Sequence, residues 1–333
     1  MPDSSKSLAP AAREPVTPVD LLESSELSPE MMAYLWLAVE NKMSIVFCGP
    51  RNLNKSQYLD ALSFFIPSEA SVARISLGHE WAIPRVNWQD VRLSSAEEMP
   101  PHIWGSQAKK LDYLVIERLE RTGLAMAPFP MAGGKSVCSA VDYDDLDDFI
   151  NSVTGPTPLM HKVQLTPFNV IATIKGVPNS ESTGDCERTQ HPLNQKVAVI
   201  TEMVGYNQNN DKIIVNEPYW WEKKGKQSAP RHFDWFFFSG HSFLYEMMMD
   251  QKKWSAPEME AEILRRTDLL RWLFHQKKSD PAEILSELTA YAQDPIAVSR
   301  RCSENLKGVV LPIDGAMQNG TPLPRTKARL REI

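Results

Sequence analysis

The sequence predicts a wound α/β fold, and three observations carry that prediction. Short apolar runs of strand length alternate with helix-like segments across residues 21–245. The first run, Ser44-Ile45-Val46-Phe47-Cys48, is apolar almost throughout, which suits a strand buried on both faces of a parallel sheet. It leads through Gly49-Pro50 into a loop and then a helical segment, the order in which a phosphate-binding loop is meaningful.

Taken in order, residues 1–20 carry Pro2, Pro10, Pro15 and Pro18 among Ser, Ala and Lys and read as a flexible leader, with order beginning near Leu21. Ser28-Pro29-Glu30-Met31 places a serine cap and a first-turn proline before an apolar helix over 31–40, ended by Asn41. Residues 58–65 have helical spacing and stop at Ile66-Pro67. Further strands are expected over 71–77, 113–116, 136–141 and 169–174. Residues 178–192 read as an exposed loop. The runs 197–204 and 212–216 flank a turn at 207–211 and predict a hairpin, with another strand over 233–238. From Ser242 onward helices dominate, with capped starts at Ser255-Ala256-Pro257-Glu258 and Ser279-Asp280-Pro281-Ala282. The tail over 307–333 is basic, carries Pro and Gly, and is expected to be loosely ordered. The partition is therefore a leader (1–20), an α/β core (21–245), a helical region (246–306) and a tail (307–333).

Composition narrows the function. Of 333 residues, 42% are apolar and 23% charged, as in a globular protein with a real core. A formal net charge of −6 argues against a nucleic-acid surface. No apolar run approaches membrane-spanning length and no signal-peptide pattern opens the chain, so a cytosolic protein is expected. Cys48, Cys138, Cys186 and Cys302 lie far apart without a CxxC pair and read as buried or idle thiols.

The loop reads Gly49-Pro50-Arg51-Asn52-Leu53-Asn54-Lys55-Ser56. A phosphate loop asks for glycine, four residues, glycine, lysine and a hydroxyl residue, and here Asn54 stands at the second glycine. Lys55 can reach the β and γ phosphates of ATP, and the Ser56 hydroxyl can ligate Mg²⁺. Asparagine tolerates left-handed backbone, so Asn52 and Asn54 are expected to keep the loop's path while crowding the phosphates. Weakened nucleotide binding is the expectation. The acidic run Asp142-Tyr143-Asp144-Asp145-Leu146-Asp147-Asp148 lacks the glycine and distal glutamate of a calcium loop and reads as a solvated helix start. Trp220-Trp221 and Trp235-Phe236-Phe237-Phe238 read as core or subunit-interface packing, because no basic groove accompanies them.

Longer stretches then resemble one family. Thr17-Pro18-Val19-Asp20-Leu21-Leu22, the run from Leu27 to Ala38, Ile83-Pro84 with Asn87-Trp88, and Ile200-Thr201-Glu202-Met203-Val204-Gly205-Tyr206 are similar to the archaeal branch of the type II/type IV secretion motor ATPases. Phe238-Ser239-Gly240, Trp254-Ser255 and the helix over 258–274 continue the likeness, which covers roughly residues 17–305. It implies a RecA-like P-loop NTPase core with a C-terminal helical extension. It also implies a hexameric motor of pilus or archaellum assembly that works with other secretion ATPase subunits and a membrane platform protein.

The departures are equally specific. Family chains carry a substantial domain before this point, where this sequence shows a leader. The family's acidic box falls on Ile75-Ser76-Leu77-Gly78, leaving only the later Glu80 as a carboxylate. Neither Ser76 nor Leu77 can act as a base. The Walker B strand falls on Asp112-Tyr113-Leu114-Val115-Ile116-Glu117, one residue short and without its glycine. Glu117 either orients water or Mg²⁺ or pairs with Arg118 or Arg121. The two family histidines are replaced by Gly134 and Val141, and Arg85 and Arg92 are the nearest candidates for arginines supplied between subunits. The expectation is a degenerate motor ATPase with slow or absent hydrolysis, the alternative being a non-catalytic paralogue docked on a competent ATPase.

Overall fold

A computed structural model describes residues 15–78, 87–105, 110–177, 194–223, 233–309 and 329–333. Its strands are β1 (Ile45–Gly49), β2 (Val72–Ser76), β3 (Trp88–Arg92), β4 (Tyr113–Ile116), β5 (Ser136–Asp142), β6 (Val170–Val177), β7 (Asn194–Asn207), β8 (Lys212–Lys223), β9 (Phe233–Phe238) and β10 (Leu330–Glu332). Among the described residues they form one ten-stranded sheet in the order β10-β8-β7-β6-β1-β5-β4-β2-β3, with β9 also on β8. The strands from β3 to β6 run parallel, and the sheet turns antiparallel from β7 outward. The strand that feeds the loop, β1, is central, and β5 lies between it and β4. This is the wound α/β sheet expected from the sequence.

Alternation along the parallel strands divides the core in two. Ile45 and Phe47 of β1, with Tyr113 and Val115 of β4, face one apolar cluster. Val46 and Cys48, with Leu114 and Ile116, face the other. The first is covered by α1 (Pro18–Glu23), α2 (Pro29–Glu40), α3 (Ser56–Ser63), α8 (Phe243–Lys252), α9 (Ala256–His275), α10 (Pro281–Gln293) and α11 (Pro295–Asn305). The second is covered by the short α4 (Pro100–Trp104), α5 (Arg121–Met126) and α6 (Pro128–Ala132), and by α7 (Leu146–Thr154). Helix α2 is apolar on every side and is buried between sheet and helices, as its composition requires.

The structure differs from the sequence expectations at several edges. Order begins before Leu21, because the Thr17 and Asp20 side chains close a capping box on α1. Strand β3 was not anticipated: its pattern Trp-Gln-Asp-Val-Arg is too polar to stand out, and it sits at the sheet edge. The tail, expected to be loose, ends in β10 paired with β8. The expected division at residue 245 falls inside α8, and α9 and α10 share the core of α2. The expected loop over 178–192 lies outside the described residues. No helix among the described residues is long and apolar enough to cross a membrane.

One buried carboxylate lies within the run from Ile200 to Tyr206. Glu202 on β7 is 2% exposed and accepts five hydrogen bonds. They come from the Tyr34 hydroxyl (2.9 Å), Asn216 Nδ2 (2.7 Å), the Ser242 hydroxyl (2.6 Å) and the amides of Phe243 (2.9 Å) and Leu244 (3.1 Å). The residue thus ties α2, β7 and β8 to the start of α8. The aromatic residues beside it pack as core: Tyr34 meets Tyr219 edge-on at 5.5 Å, and Phe238 stacks on Tyr219 at 4.9 Å.

Candidate functional site

Gly49 ends β1 against the neighbouring β6. A Cβ there would lie 3.0 Å from the Ile174 carbonyl oxygen, so any larger residue would have to push the neighbouring strand aside by a few tenths of an ångström. Pro50 then opens a turn closed by the Leu53 amide on the Pro50 carbonyl (3.1 Å). Leu53 is buried beneath the loop. No residue from 49 to 56 adopts positive φ, which corrects the expectation that Asn52 and Asn54 hold left-handed conformations. A different clamp fixes the path. Gln195 on β7 accepts from the Asn54 amide (2.9 Å) and donates to the Asn54 carbonyl (2.8 Å), and Glu26 accepts from its Nε2 (3.2 Å). Glu26 also accepts from Gln57 and from the Tyr58 hydroxyl on α3.

Lys55 is 5% exposed and curls back into its own loop. Its ammonium donates to the carbonyls of Gly49 (3.0 Å) and Pro50 (2.7 Å) and pairs with Asp142 Oδ1 at 2.9 Å. Asp142 ends β5 directly beside Gly49 in the parallel register. Its other oxygen lies 3.6 Å from Arg118 Nη1.

Glu117 follows β4, and its Oε2 accepts the Leu77 amide, so this acid bridges the ends of two neighbouring strands. Ser76, in the acidic-box position, is fully buried with a hydroxyl that meets no partner among the described residues. A cavity of about 80 Å³ brings together Lys55, Ser56, Glu117, Arg118 and Asp142. An adjoining cleft of about 330 Å³ runs along Arg118, Glu120, Arg121 and Tyr143, with Arg51, Arg118 and Asp142 lining both. Of the predicted site residues, Gly49 and Pro50 build the turn under the loop, Arg51, Leu53, Asn54, Lys55, Ser56 and Glu117 meet at the cavity, and Asn52 is exposed beside it. Arg92 lies on the edge strand β3, two strands beyond β4. Glu80 and Arg85 lie outside the described residues.

Sequence reasoning missed Asp142, Gln195 and Glu26. Asp142 stood inside an acidic run read as a helix start, and that reading fits Asp145, whose side chain caps α7 by accepting the Asp148 amide. The signal that separates Asp142 from its neighbours is its place at the carboxyl end of a parallel strand, where α/β sheets gather their ligands. Gln195 and Glu26 carried no local signal.

A phosphate bound at this loop would have to displace partners that the protein itself supplies. The Asn54 amide is engaged by Gln195 and the Lys55 ammonium by two carbonyls and Asp142, while the small cavity beside them opens onto the larger cleft.

No family model matches the chain. The uncharacterized protein MJ1287 of Methanocaldococcus jannaschii is 25% identical over 268 residues, spanning 78% of this chain and 92% of that protein. Among solved structures, the chain is similar to the VirB11 ATPase of the Brucella suis type IV secretion system (TM-score 0.39, 16% identity, 53% of this chain and 56% of that one). It is also similar to the Legionella pneumophila ATPase DotB (TM-score 0.40, 12% identity, 89% of this chain and 68% of that one). The chain thus spans just over half of the VirB11 chain.

Proposed function

We propose that this protein is a homologue of the type II/type IV secretion motor ATPases that keeps the fold for assembly and does not turn over ATP. The observation that carries the reading is the loop, whose phosphate-facing amide and ammonium already have partners within the protein. The acidic box adds to it. Ser76 and Leu77 supply no carboxylate, and the loss of a general base costs roughly 10²–10⁴-fold in rate. In this role the chain is an oligomer subunit beside a competent secretion ATPase, held at the membrane through the platform protein of a pilus-type assembly, with no nucleic-acid partner.

A second reading, ATP binding without turnover, is favoured by one feature: Lys55, Ser56 and Glu117 still line a single cavity. Binding would then require Lys55 to leave Asp142. Titration with a fluorescent ATP analogue, with and without Mg²⁺, separates the two. Wild type is expected to show no saturable binding at millimolar nucleotide. Asp142→Asn, which removes the competing charge, is expected to gain Mg²⁺-dependent binding that Lys55→Ala in the same background abolishes. Tight wild-type binding without turnover establishes the second reading, and multiple turnovers by wild type defeat both.

A further inference from the structure

The tail poses a question that the loop does not answer. In sequence, Arg325, Lys327, Arg329 and Arg331 alternate, so an extended strand presents its basic side chains on one face. In the structure β10 lies antiparallel on β8, with Leu330 opposite Asn216, Arg331 opposite Val215 and Glu332 opposite Ile214. Ile333 exchanges both backbone hydrogen bonds with Ile213, each 2.9 Å.

The seat is charged and specific. Glu217, on β8, is 5% exposed, yet its ion-pair partners among the described residues are both in the tail: Arg329 Nε at 3.1 Å and Arg331 Nε at 3.0 Å. Arg331 also reaches Asp147 of the acidic run (3.4 Å), and the Arg329 guanidinium lies over the Trp220 ring, 5.0 Å from its centre. Asn207 and Asn210 both donate to Glu332. A buried carboxylate left without its cation is costly, so this edge requires a basic strand.

The strand comes from a distance. Nineteen residues, 310–328, separate it from Val309, just beyond the helical region. Such a tether reaches at most roughly 60 Å, against a radius of gyration of roughly 20 Å for a compact domain of this length. The same edge on an adjacent copy is therefore within range, and exchanging an identical element between copies adds no foreign interface. We propose that residues 329–333 form an exchangeable docking strand, able to seat on β8 of a second copy of this chain and so link subunits through Glu217. Dilution favours the strand's own edge, and crowding of copies favours the neighbour's.

Residues 214 and 332 face each other across the pair, at a separation that suits a disulfide. Two full-length chains, one carrying Ile214→Cys and the other Glu332→Cys, are mixed at high concentration and oxidised. The expected product is a covalent heterodimer of twice the 37.7 kDa chain mass, at least tenfold more abundant than when the Ile214→Cys chain also carries Glu217→Gln. A chain bearing both cysteines reports folding independently, because it closes its own disulfide when the tail seats as described. The proposal fails if the double-cysteine chain closes while the mixed chains give no heterodimer. It fails equally if Glu217→Gln leaves the heterodimer yield unchanged.

Discussion

Lys55 and Asp112 show how residues that define a motif in sequence also hold the fold together. Lys55 neutralises Asp142 at the carboxyl end of the sheet. Asp112, the aspartate that opens the Walker B-like strand, accepts from Lys42 Nζ (2.6 Å) and from the amide (3.0 Å) and hydroxyl (2.9 Å) of Ser71. The Lys42 hydrogen bond, followed by that of the Ser71 amide, pulls its carboxyl down from 3.8 to about 2. A depressed folded-state pKa contributes stability that is complete above the unfolded value and is lost as pH falls through the folded one. Asp112→Asn is therefore expected to lower stability by a constant amount above about pH 4, with the difference from wild type closing toward pH 2. Because Lys42 and Asp112 are each at least a third exposed, the amount is about 1 kcal/mol or less. Urea unfolding of both proteins across that range tests this, and a gap that widens on acidification contradicts it. At this scale the sequence was legible where the signal was local. Lys55 and Ser56 were singled out by loop spacing and Glu117 by the Walker B strand that the resemblance implies, and the three line one cavity. Their partners were not singled out, since Gln195 meets Asn54 from 141 residues away.

At the scale of elements, strand and helix periodicity served well in the interior and poorly at the rim. The predicted strand over 113–116 is β4 and the predicted helix over 31–40 is α2 less its first two residues, because both are apolar and bounded by clear stops. Strands β3 and β10 carry little apolar signal and owe their conformation to the strand beside them. Glu202 acts at this scale, since its carboxylate caps the first turn of α8 while holding Tyr34 and Asn216. Glu202→Ala leaves several buried donors unsatisfied and is expected to cost about 3 kcal/mol or more. Denaturant unfolding gives the total. Hydrogen exchange should find the Phe243 and Leu244 amides among the first to lose protection. A loss below about 1 kcal/mol shows that the network is dispensable.

At the scale of the whole molecule, two apolar layers enclose one sheet and take in three of the cysteines. Burial pushes the Cys48 thiol up to about 12 and those of Cys138 and Cys302 up to about 11. Thiolate is the reactive form, so native protein at pH 8 is expected to leave these three unmodified by a thiol reagent over hours, with prompt labelling once denaturant is added. Peptide mapping assigns the modified positions, and rapid native labelling at Cys48 or Cys138 means the sheet interior opens. The sheet order could not be read from sequence, because it depends on which distant strands pair.

That order has a consequence during synthesis. The central strand β1 finds its two partners only when Cys138 and Val170 have been made, because Ile45 pairs with both. At roughly 5–20 residues per second, Val170 leaves the ribosome about 6–25 seconds after Ile45. Until Cys138 emerges, an apolar strand, Ile-Val-Phe-Cys-Gly, has neither of its edges covered, and until Val170 emerges it can have only one. The nascent chain must therefore be shielded by a holding chaperone or by its own early helices, and the apolar α2, translated just ahead of β1, is the first surface available to do it.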